Sequence, residues 1–123
     1  MGKAHIESMN YAKLVPSENG NTGKLGHATT FTTDGNTVRI YHHNTEIARM
    51  YPVDDELRVE TWDHGYGSVT TANRIRQVFE DNDITDVTCR IKGGELVYFV
   101  DGYEGEVHAD SWFQATIPNP TYL

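Results

Sequence analysis

The chain has few of the features that mark secreted, membrane or nucleic-acid-binding proteins. It contains one cysteine, Cys89, which cannot form a disulfide within the chain and which favours a reducing compartment. Its longest apolar run, residues 96–100, is far shorter than the roughly 20 residues of a membrane-spanning helix. The first seven residues have no apolar core, so an export signal is not expected. These shortages predict a cytoplasmic protein that does not associate with membranes.

Basic residues are scarce as well. The 123 residues include 10 lysines and arginines against 18 aspartates and glutamates, which gives a net charge of −8. The excess of acid lies after residue 53, where 14 acidic residues stand against five basic ones. Because nucleic-acid affinity comes mostly from cations that neutralise phosphates, direct binding of DNA or RNA is not expected. The acids either keep the surface soluble or offer carboxylates to a basic partner, as a nucleic-acid mimic does.

A chain of this length is expected to form one domain. Residues 16–26 are polar and rich in glycine, which predicts a long loop or a linker. We therefore divide the chain into an N-terminal segment with this loop (residues 1–28), a single α+β domain (29–116) and an extended tail (117–123). The pattern of residues 1–15 fits either a short helix or a strand docked on the domain.

From residue 29 onward, strand patterns alternate with turn residues. Asp34-Gly35 and Gly93-Gly94 have the composition of tight hairpin turns. The pair His42-His43 stands at the next turn, and on a strand its two side chains would point to opposite faces and could not share a site without help from the rest of the fold. Short loops between strands predict a mostly antiparallel sheet.

A single amphipathic helix is predicted over about residues 70–81. Its apolar side chains recur at helical spacing on one face, namely Ala72, Ile75, Val78 and Phe79. The predicted fold is therefore α+β, a mostly antiparallel, curled sheet of about six or seven strands with this helix packed on one face. The other face needs cover from residues 1–15, from curling or from a second subunit, so we expect a homodimer.

The start of this helix is the most informative segment for function. Its glycines free the backbone, and its hydroxyls lie where unpaired amides and the positive end of the helix dipole favour an anion. Tyr66 and Trp62 offer flat surfaces on which a base could stack. The candidate ligand-binding residues are Tyr66, Ser68, Thr70, Thr71, Asn73 and Arg74. The simpler interpretation is that the hydroxyls cap the helix, the aromatic residues fill the core and Arg74 pairs with an acid.

Catalytic and metal chemistry find less support in the sequence. The six histidines do not reproduce a known metal-ligand spacing, and Cys89 falls on the inward face of a strand, where a thiol is inert. The lysine and spacing of a nucleotide-hydrolysing P-loop are missing at the helix start. We therefore expect a protein that is not an enzyme, with no metal and no cofactor.

Two segments resemble a small phage-borne domain family of no established activity. They are Asn44-Thr45-Glu46-Ile47-Ala48-Arg49 and the stretch from Gly65 to Ile75. In that family an Asn-Thr-x-Ile-Ala strand precedes a Gly-aromatic-x-Thr-x-Thr-Thr-x-x-Arg helix start. This chain departs from the pattern with Ser68 at the first hydroxyl position and Arg76 where asparagine is common. The resemblance implies a phage origin and a core of strands followed by a helix, and it transfers no catalytic residue.

The resulting hypothesis is a non-catalytic phage protein that counters bacterial immunity in the host cytoplasm. In its sharpest form it sequesters a phosphorylated signal nucleotide at the helix start. A first alternative is an acidic inhibitor that mimics nucleic acid and occupies a host defence nuclease through Asp54, Asp55, Glu56, Glu104 and Glu106. A second alternative is a structural or accessory virion module that associates through the exposed sheet face. The anti-defence role rests on analogy with other small acidic phage proteins.

Overall fold

The computed structural model describes residues 9–14 and 21–119. Within these ranges the chain forms nine strands and one α-helix. In chain order they are β1 (Asn21–Gly26), β2 (Thr29–Asp34), β3 (Thr37–His42), β4 (Thr45–Val53), β5 (Glu56–Thr61), α1 (Val69–Asp81), β6 (Val87–Lys92), β7 (Glu95–Val100), β8 (Val107–His108) and β9 (Phe113–Pro118).

The strands form two antiparallel sheets, which confirms the predicted α+β class with a mostly antiparallel sheet and one main helix. The larger sheet has the order β1-β2-β3-β4-β5-β9 and the smaller one the order β6-β7-β8. Five strands come before the helix. Among the described residues after the helix, β6, β7 and β8 pair with each other, and β9 returns to pair with β5. This division into two sheets is finer than the sequence pattern, which does not specify which strands pair.

The predicted loop over residues 16–26 is wrong for its second half. Residues 21–26 form β1, which pairs antiparallel with β2, while residues 15–20 lie outside the described residues. Gly23 suits this strand because a Cβ there would lie 2.5 Å from Cε1 of the Phe31 ring. The polar strand β1 is thus held in the sheet by its pairing with β2 and by the buried side chain of Leu25.

The other end of the larger sheet includes part of the predicted tail. Strand β9 contains residues 117 and 118, and it pairs with β5 in register from Glu56↔Pro118 to Thr61↔Phe113. The next residue, Asn119, is buried and its backbone amide donates to the carbonyl of Asp55 at 2.8 Å. The larger sheet therefore extends on both sides of the range 29–116.

Helix α1 packs through the face that the sequence predicts. Ala72, Ile75, Val78 and Phe79 are all buried in the core cluster, together with inward side chains of the larger sheet. The helix also lies against β6, so the smaller sheet and the helix together cover one face of the larger sheet. We attribute most of the helix stability to this packing, since short isolated helices are marginal in water.

Two sets of contacts join the layer formed by α1 and the smaller sheet to the larger sheet and to residues 9–14. Tyr98 of β7 is buried, stacks on Phe113 of β9 with 4.1 Å between ring centroids, and shares a hydrogen bond of 2.8 Å with the hydroxyl of Thr61. Asn82, at the C-terminal end of α1, accepts a hydrogen bond from the backbone amide of Tyr11 at 2.8 Å. Residues 9–14 therefore pack on the core, with Met9, Tyr11 and Leu14 buried.

The opposite face of the larger sheet is polar. Arg39 pairs with Glu46 at 2.8 Å and Arg49 with Glu60 at 2.6 Å, and the Arg49 guanidinium lies 4.0 Å from the ring centroid of Trp112. The described part of the chain holds no helix with the length and apolarity that a membrane crossing needs. The expectation that a second subunit covers this face in a homodimer stays a prediction.

Candidate functional site

The loop before α1 is shaped by one buried carboxylate. Asp63 accepts hydrogen bonds from the backbone amides of Gly65 and Gly67, each at 2.9 Å, and its own carbonyl accepts from the amide of Tyr66 at 3.2 Å. Both glycines have positive φ, which a residue with a Cβ adopts only at a cost. Asp63 thus holds the backbone in the path that leads to the first turn of the helix.

Ser68 is the N-cap of α1. Its backbone is extended (φ −88°, ψ 130°) and its hydroxyl accepts from the amide of Thr71 at 3.4 Å. The positive end of the helix dipole lies here; the first turn contains no acidic residue, although the Asp63 carboxylate, which is bonded to the Gly67 amide, lies just before it. An anion near this end is therefore favoured electrostatically.

A cavity of about 350 Å³ opens at this helix start. Seven described residues line it, from the β3–β4 hairpin and from the loop and first turn of α1: His42, His43, Thr45, Ile47, Tyr66, Ser68 and Thr71. The register between β3 and β4 shifts beside Ile47, and such a bulge re-aims side chains. The volume is at the lower end of the range of about 300–1,000 Å³ for small-molecule sites.

The sequence interpretation missed the four lining residues of the β3–β4 hairpin, and of these His42 is the most deeply placed titratable group. It is only 3% exposed, and its Nδ1 lies 3.1 Å from the hydroxyl of Thr29. His42 and His43 were expected to point apart if both lay on a strand and not to share a site without help, but their ring centroids are 4.4 Å apart. His43 has left the strand and lies in the hairpin turn with φ +52°, so the alternation of strand side chains no longer applies to it.

The electrostatic surroundings of His42 are positive. Burial lowers the pKa of its imidazole, and the nearby charges of His43, Arg74 and His27 lower it further. Arg74 is half-buried, its Nε has no hydrogen-bond partner in the described structure, and no described acid forms an ion pair with it. In a chain with a net charge of −8, this is a local region of opposite sign.

The predicted ligand residues separate into two groups. Tyr66, Ser68 and Thr71 line the cavity. Arg74 is not among the described lining residues, but its positive charge lowers the pKa of His42, which lines the cavity. Thr70 and Asn73 are exposed and are not among the described residues that line it; the side chain of Asn73 accepts a hydrogen bond from Arg76 instead.

The aromatic side chains near the helix start also differ from each other. Tyr66 is 72% exposed and so does not fill the core. Trp62 packs elsewhere, with its ring centroid 4.4 Å from that of His64 and 6.0 Å from that of Trp112. Of the two predicted stacking surfaces, Tyr66 is therefore the one at the cavity.

The acidic residues of the alternative hypothesis lie in two different turns. Asp54, Asp55 and Glu56 are exposed where β4 turns into β5. Glu104 is exposed in the segment after β7. Glu106 forms an ion pair with Lys92, and this hydrogen bond holds the pKa of the Glu106 carboxyl below its usual range. Its charge is thus partly compensated within the chain.

Groups that could carry covalent or metal chemistry are poorly placed for it. Burial raises the pKa of the Cys89 thiol to about 12, so the nucleophilic thiolate is not formed at neutral pH. Among residues 9–14 and 21–119, no three histidine, cysteine or acidic side chains are grouped so that they could hold a metal ion. The expectation of a protein without catalysis stays a prediction.

Comparison with known proteins relates the chain to a protein family. The family model described as Kyanoviridae Gp96 protein matches residues 6–117. No curated protein matches the chain, and no solved structure does.

Proposed function

The chain belongs to the Kyanoviridae Gp96 protein family, a family of phage proteins, and we propose that it is a non-catalytic binding protein that captures a phosphorylated signal nucleotide of the infected bacterium. Capture in the host cytoplasm would remove that signal from host immunity. The observation that carries the proposal is the cavity of about 350 Å³ at the start of α1, where a positive region stands in an otherwise acidic chain.

Three features of the cavity suit a nucleotide. The helix start, without an acid in its first turn, favours a phosphate. Thr45, Ser68 and Thr71 line the wall, and a hydroxyl side chain can bond phosphate or sugar oxygens. The exposed ring of Tyr66 offers a surface on which a base can stack.

The two segments that resemble a phage-borne family support the same site. Asn44–Arg49 contributes Thr45 and Ile47 to the cavity wall, and the stretch 65–75 contributes Tyr66, Ser68 and Thr71. The segments are separated along the chain and meet at one cavity. We propose that these two motifs are shared within the family because they build a common binding site.

Calorimetric titration of the full chain with a panel of linear and cyclic mono- and dinucleotides tests this proposal. We expect at least one member to bind, and the Thr71→Val variant to bind it more weakly. Valine keeps the volume of threonine and removes the hydroxyl, and a lost hydrogen bond to a charged group costs about 1.5–3 kcal/mol. The proposal fails if no nucleotide in the panel binds, or if Thr71→Val binds as the parent does.

Tyr66 gives a second prediction with a matched control. We expect Tyr66→Ala to weaken nucleotide binding by about 5- to 150-fold, because stacking of a base on an aromatic side chain contributes about 1–3 kcal/mol. Tyr103 is also exposed, at 60% against 72% for Tyr66, and it lies in the segment after β7. Tyr103→Ala should bind as the parent protein does, and equal losses in the two variants would contradict a specific role of Tyr66.

One observation favours the acidic inhibitor as a second candidate. Asp54, Asp55 and Glu56 are consecutive exposed carboxylates on one hairpin turn, which a basic nuclease groove could accept. If the nucleotide panel fails, inhibition of host nucleases by the parent and by a variant with all three residues changed to amides is the next measurement. Copies of the protein in purified phage particles would instead favour a structural module that associates with itself.

A further inference from the structure

We propose that His42 contacts the captured ligand directly, and that its Nε2 takes up a proton when a phosphate-like or sulfate-like dianion enters the cavity. This inference rests on the proposed function and names the residue and the chemistry by which the same site recognises charge. His42 was not among the residues that the sequence indicated.

The hydrogen bonds of Thr29 determine which nitrogen of neutral His42 carries the proton. The Thr29 hydroxyl donates to the carbonyl of His27 at 2.9 Å. A hydroxyl has a single proton, so the same oxygen can only accept from His42, whose Nδ1 lies 3.1 Å away. With the Thr29 proton directed at the His27 carbonyl, we assign the proton of the neutral ring to Nδ1, which leaves Nε2 with a lone pair.

That Nε2 has no hydrogen-bond partner among the described residues, although His42 is 97% buried and lines the cavity. Nε2 is not among the described side-chain atoms that are fully buried without a partner, so it keeps some accessible surface, and a ligand in the cavity could reach it. As a lone pair, Nε2 accepts a proton; once protonated, it donates a charge-assisted hydrogen bond to an anion. The empty cavity thus contains a group whose hydrogen-bonding role reverses on protonation.

The groups around His42 oppose its protonation while the cavity is empty. His27 faces it from the β1–β2 turn, His43 from the β3–β4 turn and Arg74 from α1, and each lowers the pKa of His42. Thr29 on β2 and the cavity-lining threonines are neutral. No carboxylate is among the described charges that act on it, so a bound dianion would supply the missing negative charge.

The direction of the pH dependence follows from linkage. A dianion raises the pKa of His42 above its value in the empty protein, where it is lowered. The added affinity is complete below the empty-state pKa, decreases as the pH rises through the interval between the two values, and is lost above the bound-state pKa. If the anion raises the pKa by about one unit, affinity changes about tenfold across that interval.

Sulfate is the probe of choice, because it stays a dianion between pH 5 and 8 and does not itself titrate. The ring nitrogens and the Cε1 proton of His42 in the full chain would be followed by NMR, with sodium sulfate replacing sodium chloride at constant ionic strength. We expect the Nδ1-protonated ring in the empty protein, a titration midpoint raised by about one pH unit in sulfate, and sulfate binding that is tighter at pH 5.5 than at pH 8, with about tenfold as the upper limit for a shift of that size.

Two variants sharpen the result. His42→Asn keeps a side-chain amide that can donate to Thr29 and removes the titrating nitrogen, so its sulfate affinity should no longer depend on pH. His108→Gln removes an exposed histidine of β8, outside the cavity, and should keep the full pH dependence. If His42→Asn does not fold, the tautomer and the titration midpoint of His42 measured on the parent protein still test the inference.

Three results would each overturn the inference: a proton on Nε2 in the empty protein, sulfate binding without a change in the His42 midpoint, or no sulfate binding at any pH. The outcomes separate the two proposals. Nucleotide binding with an unmoved midpoint leaves the nucleotide proposal standing and removes the role of His42. A midpoint that responds to sulfate without any nucleotide binding keeps the proton-coupled anion site and removes the nucleotide.

Discussion

Changing Gly67 to alanine is expected to lower the free energy of unfolding by about 2–5 kcal/mol. Gly67 has φ +66°, and placing an alanine in this left-handed region costs about 1–2 kcal/mol. A Cβ at this position would also overlap the carbonyl oxygen of Gly94, with the carbonyl carbon 3.0 Å away. Because that obstacle is backbone, relieving the overlap requires a backbone shift, for which about 1–3 kcal/mol is typical. Urea denaturation of the parent and the variant measures the difference.

Gly65 is the matched control for this prediction. It has φ +82° in the same loop, but nothing lies within 4 Å of a Cβ placed there. Gly65→Ala should therefore lose only the conformational cost, about 1–2 kcal/mol. The difference between the two variants reports the close approach of the loop before α1 to the β6–β7 turn, and similar losses would show that this approach is not required.

Local sequence patterns predicted the hairpins and the helix of this fold because each depends on residues close in the chain. Gly93-Gly94 forms the turn between β6 and β7, with both residues at positive φ. The turn after β2 lies at residues 35–36, one residue later than Asp34-Gly35, because Asp34 still pairs with Thr37. The predicted helix 70–81 differs from Val69–Asp81 by one residue.

Strand β1 and the separate smaller sheet could not be predicted in this way, since both depend on distant partners. The sequence Asn21–Gly26 is polar and contains glycine, so its own composition favours a loop. Its place in the sheet comes from pairing with β2 and from the Phe31 ring over Gly23. The order of strands likewise depends on β9 pairing with β5 across half the chain.

Only the part of the candidate site that depends on local sequence was predicted. Ser68 and Thr71 follow from the local rules for a helix start. The other wall of the cavity belongs to the β3–β4 hairpin, where the nearest lining residue, Ile47, precedes Tyr66 by 19 positions, and no local pattern connects the two. His42 could have been suspected only from a histidine at the end of a strand with apolar residues on the same face, a signal that is not specific to a binding site.

Removing the carboxylate of Asp63 is expected to destabilise the protein by about 1–3 kcal/mol and to weaken binding at the cavity. Asp63 is buried, and it is the acceptor for the backbone amides of Gly65 and Gly67. In Asp63→Ala both amides lose that acceptor, and the cost of an unsatisfied donor falls mainly on the half-buried Gly67, because Gly65 is exposed and its amide can bond to water. Hydrogen exchange should quicken at these two amides first, because the loop loses its order before α1, which the core holds through its apolar face.

Binding is affected because Asp63 fixes the loop that carries Tyr66 and Ser68 into the cavity wall, which makes it a positioning residue. Asp63→Asn keeps one carboxamide oxygen and should therefore lose less stability than Asp63→Ala and protect one of the two amides. Asp110 is an exposed aspartate, so Asp110→Ala should change stability by no more than about 0.5 kcal/mol. Unchanged protection of the Gly65 and Gly67 amides in Asp63→Ala would show that the loop keeps its path without the carboxylate. The shape of the cavity would then have to come from the β3–β4 hairpin and the helix cap alone.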